Sequence, residues 1–356
     1  MNYSEKEPEN KSGLFFLLLV TPFILFGIYE GSNESLERFE FSEPHMGTEF
    51  YITLYAENAE IAESAADSAF RRVEELNQIL SDYHAESELN RLSATSGSGE
   101  EISVSDPLWD VINKGFEISE KTGGAFDMTI GPFVSLWRDL RDDPDPQLPD
   151  STLLQETSKS VGYELIELDE QEQTVRLTAS DMQLDPGGIA KGYAVDEALA
   201  VLRHYGITSA MVNGGGDISI GEQPPNRKGW DVQIYSDHPR YKDTPLILTL
   251  SNQAVTTSGD LFQYIEIDGT RYSHIIDPET GLGLTEGRKA TVVGEKGISV
   301  DAYATAFTVL PSSESLEIAE SCDNLATYIE VTKEDTIATY ESTGFKKLKK
   351  QGSENK

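Results

Sequence analysis

In "SVDAYATAF", Ser299 to Phe307, an aspartate and a threonine stand four residues apart. If that stretch is helical, Asp301 and Thr305 share one face. A carboxylate with a hydroxyl is a pair of hard oxygen donors, suited to Mg²⁺ completed by waters, a carbonyl and substrate phosphates. Taken alone, the pair reads better as an aspartate favouring the positive end of a helix dipole, with Thr305 exposed or bonded back to its own helix. A second stretch, "LDPGGIAKGYAVDEAL" at residues 184–199, sets Gly187, Gly188 and Gly192 around Lys191. Glycine costs roughly 1 kcal/mol relative to alanine inside a helix, so these glycines need a reason. One reason is tight packing. The other is an anionic ligand against a helix start, where small residues expose the amides and Lys191 adds charge. Asp185 before Pro186 reads as the opening of that helix, its carboxylate accepting free backbone N–H groups.

Three further stretches carry reactive groups. "NGGGDISIG", Asn213 to Gly221, lets backbone approach a ligand or forms a bulge; a strand follows it, so it is not a dinucleotide fingerprint. "YSHIIDPETGLG" holds His274, which titrates near neutrality and suits general acid–base work, beside turn chemistry in "DPETG". "GGAFDMTIGP" places Asp127 and Thr129 before Gly131-Pro132, a pattern that ordinary loop packing also explains.

The elements that must hold these residues follow from periodicity. "TEFYITLYA" alternates as a strand, and "NAEIAESAADSAFRRVEELNQIL" has a helical apolar face with Asn58 as N-cap. "DPLWDVINKGFEISEKTGG" reads as a helix capped by Asp106, with Pro107 in the first turn and Gly123 at its end. "SATSGSGEE" and "RDDPDPQLPD" read as surface loops. A strand pair is predicted near 163–178, then a helix ending at Gly206. Strands dominate from there, including a hairpin turning at Asp268-Gly269, before helix over 298–321 and two closing strands. Without regular βαβ alternation, the fold class is α+β: mixed or antiparallel sheets with flanking helices.

The chain has 356 residues, with 62 acidic against 28 basic, a formal net charge of −34. That field repels nucleic acid, and the one basic run, Lys346–Lys350, reads as a solvated tail. A single cysteine, Cys322, excludes an intrachain disulfide and a cysteine metal cluster, and the five histidines show no paired zinc spacing. Residues 12–29 are uncharged and mostly apolar, and as helix would span roughly 27 Å. No small-x-small cleavage site follows, so an uncleaved anchor is the expectation, with a cleaved signal as the alternative. Lys6 and Lys11 before the segment favour an N-terminus inside and the body outside. The expected organisation is a tail at 1–11, the anchor or signal at 12–29, a linker at 30–44, one two-lobed catalytic unit at 45–342 and a basic polar tail at 343–356.

Eight motifs in order give this chain a resemblance. "HMGTEFYITL", "SDYHAESELNRL", "GGAFDMTIGP", "LDPGGIAKGYAVD", "NGGGDI", "AVTTSGD", "HIIDPETG" and "SVDAYATA" follow one another as in the ApbE family of flavin transferases, over about Met46 to Tyr340. The resemblance implies binding of FAD and Mg²⁺-dependent transfer of its FMN to a threonine or serine hydroxyl of an acceptor flavoprotein, with release of AMP. It implies metal ligands at Gly188 (through its carbonyl), Asp301 and Thr305, the ion neutralising charge on the pyrophosphate. His274 and Asp301 become the expected catalytic residues, with His274 also against the cofactor. Tyr83 is the expected flavin-stacking aromatic, and Met46, Glu88, Asp127, Thr129, Asp185, Gly187, Gly188, Lys191 and Ser258 the remaining expected FAD-site residues. Gly47, Asp217 and Gly259 match pocket or scaffold positions. The acceptor implied is a flavoprotein subunit of a membrane NADH:quinone reductase or electron-transport complex, which places the chain at a bacterial inner membrane, facing the periplasm or cell exterior. A Mg²⁺-dependent FAD pyrophosphatase and a non-catalytic flavin binder are the alternatives, and retention of Asp301 and Thr305 argues against the second.

Overall fold

The computed structural model describes residues 36–353 apart from 144, 242–244, 260–263 and 334–335. In chain order, a hairpin of β1 (Glu37–His45) and β2 (Thr48–Ala56) leads into α1 (Ala59–Leu80) and α2 (Glu88–Ser93). Then come β3 (Ile102–Ser103), α3 (Asp106–Thr122), α4 (Gly131–Asp142), α5 (Ser151–Thr157), β4 (Ile166–Asp169) and β5 (Thr174–Leu177). Next are α6 (Ala190–His204), β6 (Ala210–Gly214), β7 (Asp217–Ile220), β8 (Trp230–Ile234), β9 (Leu246–Leu250) and β10 (Ala254–Gly259). The chain continues through β11 (Tyr264–Ile267), β12 (Thr270–Ser273), β13 (Gly287–Gly294), α7 (Gly297–Val309) and α8 (Ser312–Ser321). It closes with β14 (Ala326–Lys333), β15 (Thr336–Glu341) and α9 (Thr343–Ser353).

Eight strands form the main sheet, in the order β1-β2-β6-β7-β10-β13-β14-β15. Each neighbouring pair in it is antiparallel. Alternation along the strands sends side chains to two separate cores. Ile52, Val212, Ala254, Val292 and Ile329 face one layer, packed with α1, α3, α6 and α7. Val255, Val293 and Tyr328 face the other, covered by the β8–β9 hairpin and by Phe345 of α9. A third cluster joins Phe133 and Trp137 of α4 to Ile267 and Ile276. Trp137 Nε1 donates to the Gly281 carbonyl at 2.8 Å, which fixes α4 against the segment that carries His274.

Several elements differ from the sequence reading. Residues 37–44, read as linker, are strand: Phe39 and Phe41 pack on the helical core, while charged residues line the rest of this strand, as suits the edge of a sheet. The basic tail is helical from Thr343, because Phe345 is fully buried against Tyr328, rings 5.3 Å apart and 17° from parallel. The cap of α3 is Ser105 rather than Asp106; Glu88 Oε1 accepts the Ser105 N–H at 2.7 Å and Oε2 its hydroxyl at 2.6 Å. Helix over 298–321 divides at Leu310-Pro311 into α7 and α8, since proline resists continuing a helix. α4 and α5 flank the proline-rich loop where no helix was expected. Residues 12–29 lie outside the described residues, among which no helix is long and apolar enough to cross a membrane.

The second core gives a stability prediction. Replacing Phe345 by alanine is expected to cost about 3–5 kcal/mol, read as a lower urea midpoint at unchanged slope. A loss below about 1 kcal/mol would show that α9 is not integral to the fold.

Candidate active site

The cleft is built where α6 crosses α7. A Cβ on Gly192 would lie 2.3 Å from the Gly297 carbonyl oxygen, so only glycine permits the crossing. Asp196, one turn further along α6, caps α7: its carboxylate accepts the N–H groups of Gly297 at 2.9 Å and Ile298 at 3.1 Å, and the Ser219 hydroxyl at 2.6 Å. With its start held, α7 presents Asp301 and Thr305 to a cleft of about 360 Å³. Gly188 lies against the threonine, a Cβ there falling 2.7 Å from Thr305 Oγ1. Of the glycines in residues 184–199, Gly192 therefore serves packing, and Gly188 admits the hydroxyl. Asp185 does not cap a helix: α6 starts at Ala190, and Asp185 instead closes a turn by accepting the Gly187 N–H at 2.8 Å.

Charges converge at this end. Asp301 Oδ2 accepts the Gly192 N–H at 3.0 Å, and Lys191 Nζ is 3.0 Å from Asp217 Oδ2. Burial, reinforced by the charge of Asp217, pushes the Asp301 carboxyl up to about 7, while Lys191 opposes the shift. Asp217, with help from Asp301, holds the Lys191 ammonium well above its usual range, against the effect of burial. Lys191 is thus a fixed cation, not a proton donor at neutral pH.

The facing wall comes from the α1–α2 loop and α4. Arg138 pairs with Asp82, sits 3.5 Å from Asp185 Oδ2, and holds its guanidinium 4.4 Å above the Tyr83 ring. Burial first, then the nearby charge of Asp82, raises the Asp185 carboxyl. Tyr83 is 77% exposed, a ring open for stacking rather than a core tyrosine.

The structure brings Tyr83, Asp127, Asp185, Gly187, Gly188, Lys191, Ser258, His274, Asp301 and Thr305 to one cleft. Asp127 is also anchored: it accepts the N–H and hydroxyl of Thr129 and the N–H of Tyr163. Thr129, fully buried, accepts the Gly162 N–H at 2.7 Å and does not line the cleft. Glu88 is engaged with Ser105. Met46 and Gly47, both at positive φ, form the β1–β2 turn. Neither they nor Glu88 line the cleft. Sequence reasoning missed Asp82, Arg138, Arg141 and Thr256, all cleft residues. Thr256 and Thr257 of "AVTTSGD" both border the cleft, and only the strand register shows that Thr256 is the buried one of the two.

The donor set fits a hard divalent cation. Among the described residues, no group of three histidine, cysteine, aspartate or glutamate side chains is placed to hold a metal. One carboxylate, one hydroxyl and the Gly188 backbone do meet, which suits Mg²⁺ with its remaining positions left to water and phosphate.

Known proteins with this arrangement supply its family. The ApbE family model matches residues 46–329. FAD:protein FMN transferase of Vibrio cholerae is 30% identical over 321 residues, 89% of this chain and 94% of that protein. The Escherichia coli K12 protein of the same name is 29% identical over 276 residues, 76% of this chain and 77% of that one. The solved flavin transferase ApbE of Vibrio cholerae superposes with a TM-score of 0.79 at 28% identity, covering 88% of this chain and 99% of that one. Apo flavinyl transferase ApbE of Pseudomonas stutzeri superposes at 0.78 with 26% identity, covering 88% and 97%. The family model spans most of the chain and the fold is shared with these structures: the chain belongs to the ApbE family.

Proposed function

We propose that this protein is an FAD:protein FMN transferase that moves FMN from FAD to a threonine or serine hydroxyl of an acceptor flavoprotein and releases AMP. The observation that carries the reading is the placement of Asp301, Thr305 and Gly188 beside Lys191 in one cleft. The acceptor hydroxyl oxygen bonds to the phosphorus of the FMN moiety while the bond from that phosphorus to the oxygen bridging to AMP breaks. The hydroxyl proton leaves, and AMP departs with the bridging oxygen.

Each group has a task in that displacement. Asp301, Thr305 and the Gly188 carbonyl would hold Mg²⁺, which when bound neutralises charge on the diphosphate oxygens. Lys191 adds a fixed positive charge, tied in place by Asp217. Arg138 balances Asp82 and Asp185, which would otherwise repel an anionic substrate from their wall. Tyr83 offers the exposed ring on which the flavin stacks. His274 reaches the cleft from the segment fixed by α4, and its imidazole takes up the acceptor proton. The acceptor is a flavoprotein subunit of a membrane NADH:quinone reductase or electron-transport complex. Residues 12–29 anchor the enzyme in the inner membrane with its catalytic unit outside, a reading supported by that uncharged stretch and the lysines before it.

One feature favours a second activity of the same cleft. The Tyr83 ring at the cleft is itself exposed to water, so water can compete with the acceptor, and slow hydrolysis of FAD to FMN and AMP is expected without acceptor.

Intact-mass analysis of a co-expressed acceptor should show covalently added FMN; an unmodified acceptor, alongside acceptor-independent AMP release, would make the protein a pyrophosphatase. Asp301→Asn keeps an acceptor for the Gly192 N–H but removes the charge. It is expected to lower AMP release at least about 100-fold, on the order of 3 kcal/mol of transition-state stabilisation, with an unchanged circular dichroism spectrum. Turnover within twofold of the parent would refute the assignment. Chelation with EDTA should abolish turnover and added Mg²⁺ should restore it, whereas metal-free turnover would remove the ion from the mechanism.

A further inference from the structure

Thr256 is 3% exposed and lines the cleft. Its hydroxyl oxygen is buried and has no hydrogen-bond partner among the described residues. The neighbouring threonine shows the contrast: Thr257 also borders the cleft, but its hydroxyl is partnered, its Oγ1 lying 2.8 Å from Thr291 Oγ1. Alternation places Thr256 on the same side as Ala254 and Ser258, opposite Val292 in the strand register. Ala254 and Val292 belong to the helical core, and α7 packs on β10. The hydroxyl therefore sits where that core meets the cleft. Valine has the same shape and would satisfy the packing without stranding a polar group, and an unpaired buried hydroxyl destabilises a protein.

The geometry points to Thr256 as a substrate-contacting residue, its hydroxyl donating a hydrogen bond to a phosphate oxygen of the bound dinucleotide. The inference rests on the cleft being the FAD site. Two features select the phosphate over the ring. The elements beside β10 at this end bring polar groups, Lys191, Asp217, Asp301 and Thr305, whereas Val134, Ile275 and Ile276 come from the α4 side. A hydroxyl donated to an anionic oxygen also makes a stronger bond than one to a neutral acceptor. The hydroxyl is left unsatisfied in the free protein and completed by substrate, so stability and binding pull in opposite directions at this residue.

Thr256→Val and Thr256→Ser separate that role from a structural one. Calorimetry with FAD and Mg²⁺ is run first on the unaltered protein, and no uptake there defeats the flavin reading itself. With uptake established, Thr256→Val should bind FAD about tenfold more weakly, equivalent to 1.4 kcal/mol, while its ligand-free melting temperature rises by about 2 °C. Thr256→Ser should bind within about twofold of the parent, since the hydroxyl is retained. The absorbance spectrum of bound flavin should be the same in all three proteins. Equal affinity in the valine variant, a fall in its melting temperature, or a shifted flavin spectrum overturns the assignment.

Discussion

The close approach of Gly192 to Gly297 sets the chemistry of the cleft. Two helices whose backbones touch bring an α6 amide to Asp301 and the Asp196 carboxylate to the start of α7. A larger residue at either glycine would push the helices apart and move Asp301 and Thr305 away from Gly188. Burying Asp301 near Asp217 disfavours two charges at once, and Lys191 offsets only part of that. Two carboxylates and one ammonium thus share this end of the cleft, with negative charge in excess.

A chain of net charge −34 that takes an anionic dinucleotide is a paradox only at long range. Surface charges are screened beyond about 10 Å at 0.1 M ionic strength. Inside the cleft, Lys191, Arg138 and Arg141 stand among Asp82, Asp127, Asp185, Asp217 and Asp301, and these three cations are the groups with which a diphosphate can pair. Arg138 has a double part: its guanidinium neutralises two carboxylates and forms one face of a stack whose other face, the Tyr83 ring, stays open.

Much of this was legible in the sequence because short-range spacing carried it. Asp301 and Thr305 meet because an α-helix repeats every 3.6 residues, and the motif order fixed the family before any strand was placed. What stayed hidden depends on distance along the chain. Arg138 reaches Asp82 across 56 residues, and no local pattern announces such a pair. Met46, Glu88 and Thr129 carry motif identity but sit in a turn, in a loop contact and in the core, since a motif records scaffold and site alike. The edge strand β1 and α9 were misread for one physical reason. Each is mostly polar and is held by few apolar contacts, Phe39 and Phe41 in the first and Phe345 in the second.

The strands of the main sheet lie across it in the order in which they are synthesised. A nascent chain can thus extend the sheet from one edge as each strand leaves the ribosome, every new strand meeting a neighbour already made. The exception is α9, whose Phe345 closes the second core at Tyr328. α9 follows every strand of the sheet along the chain, so the side of the sheet that it covers stays wet until that one aromatic ring is seated.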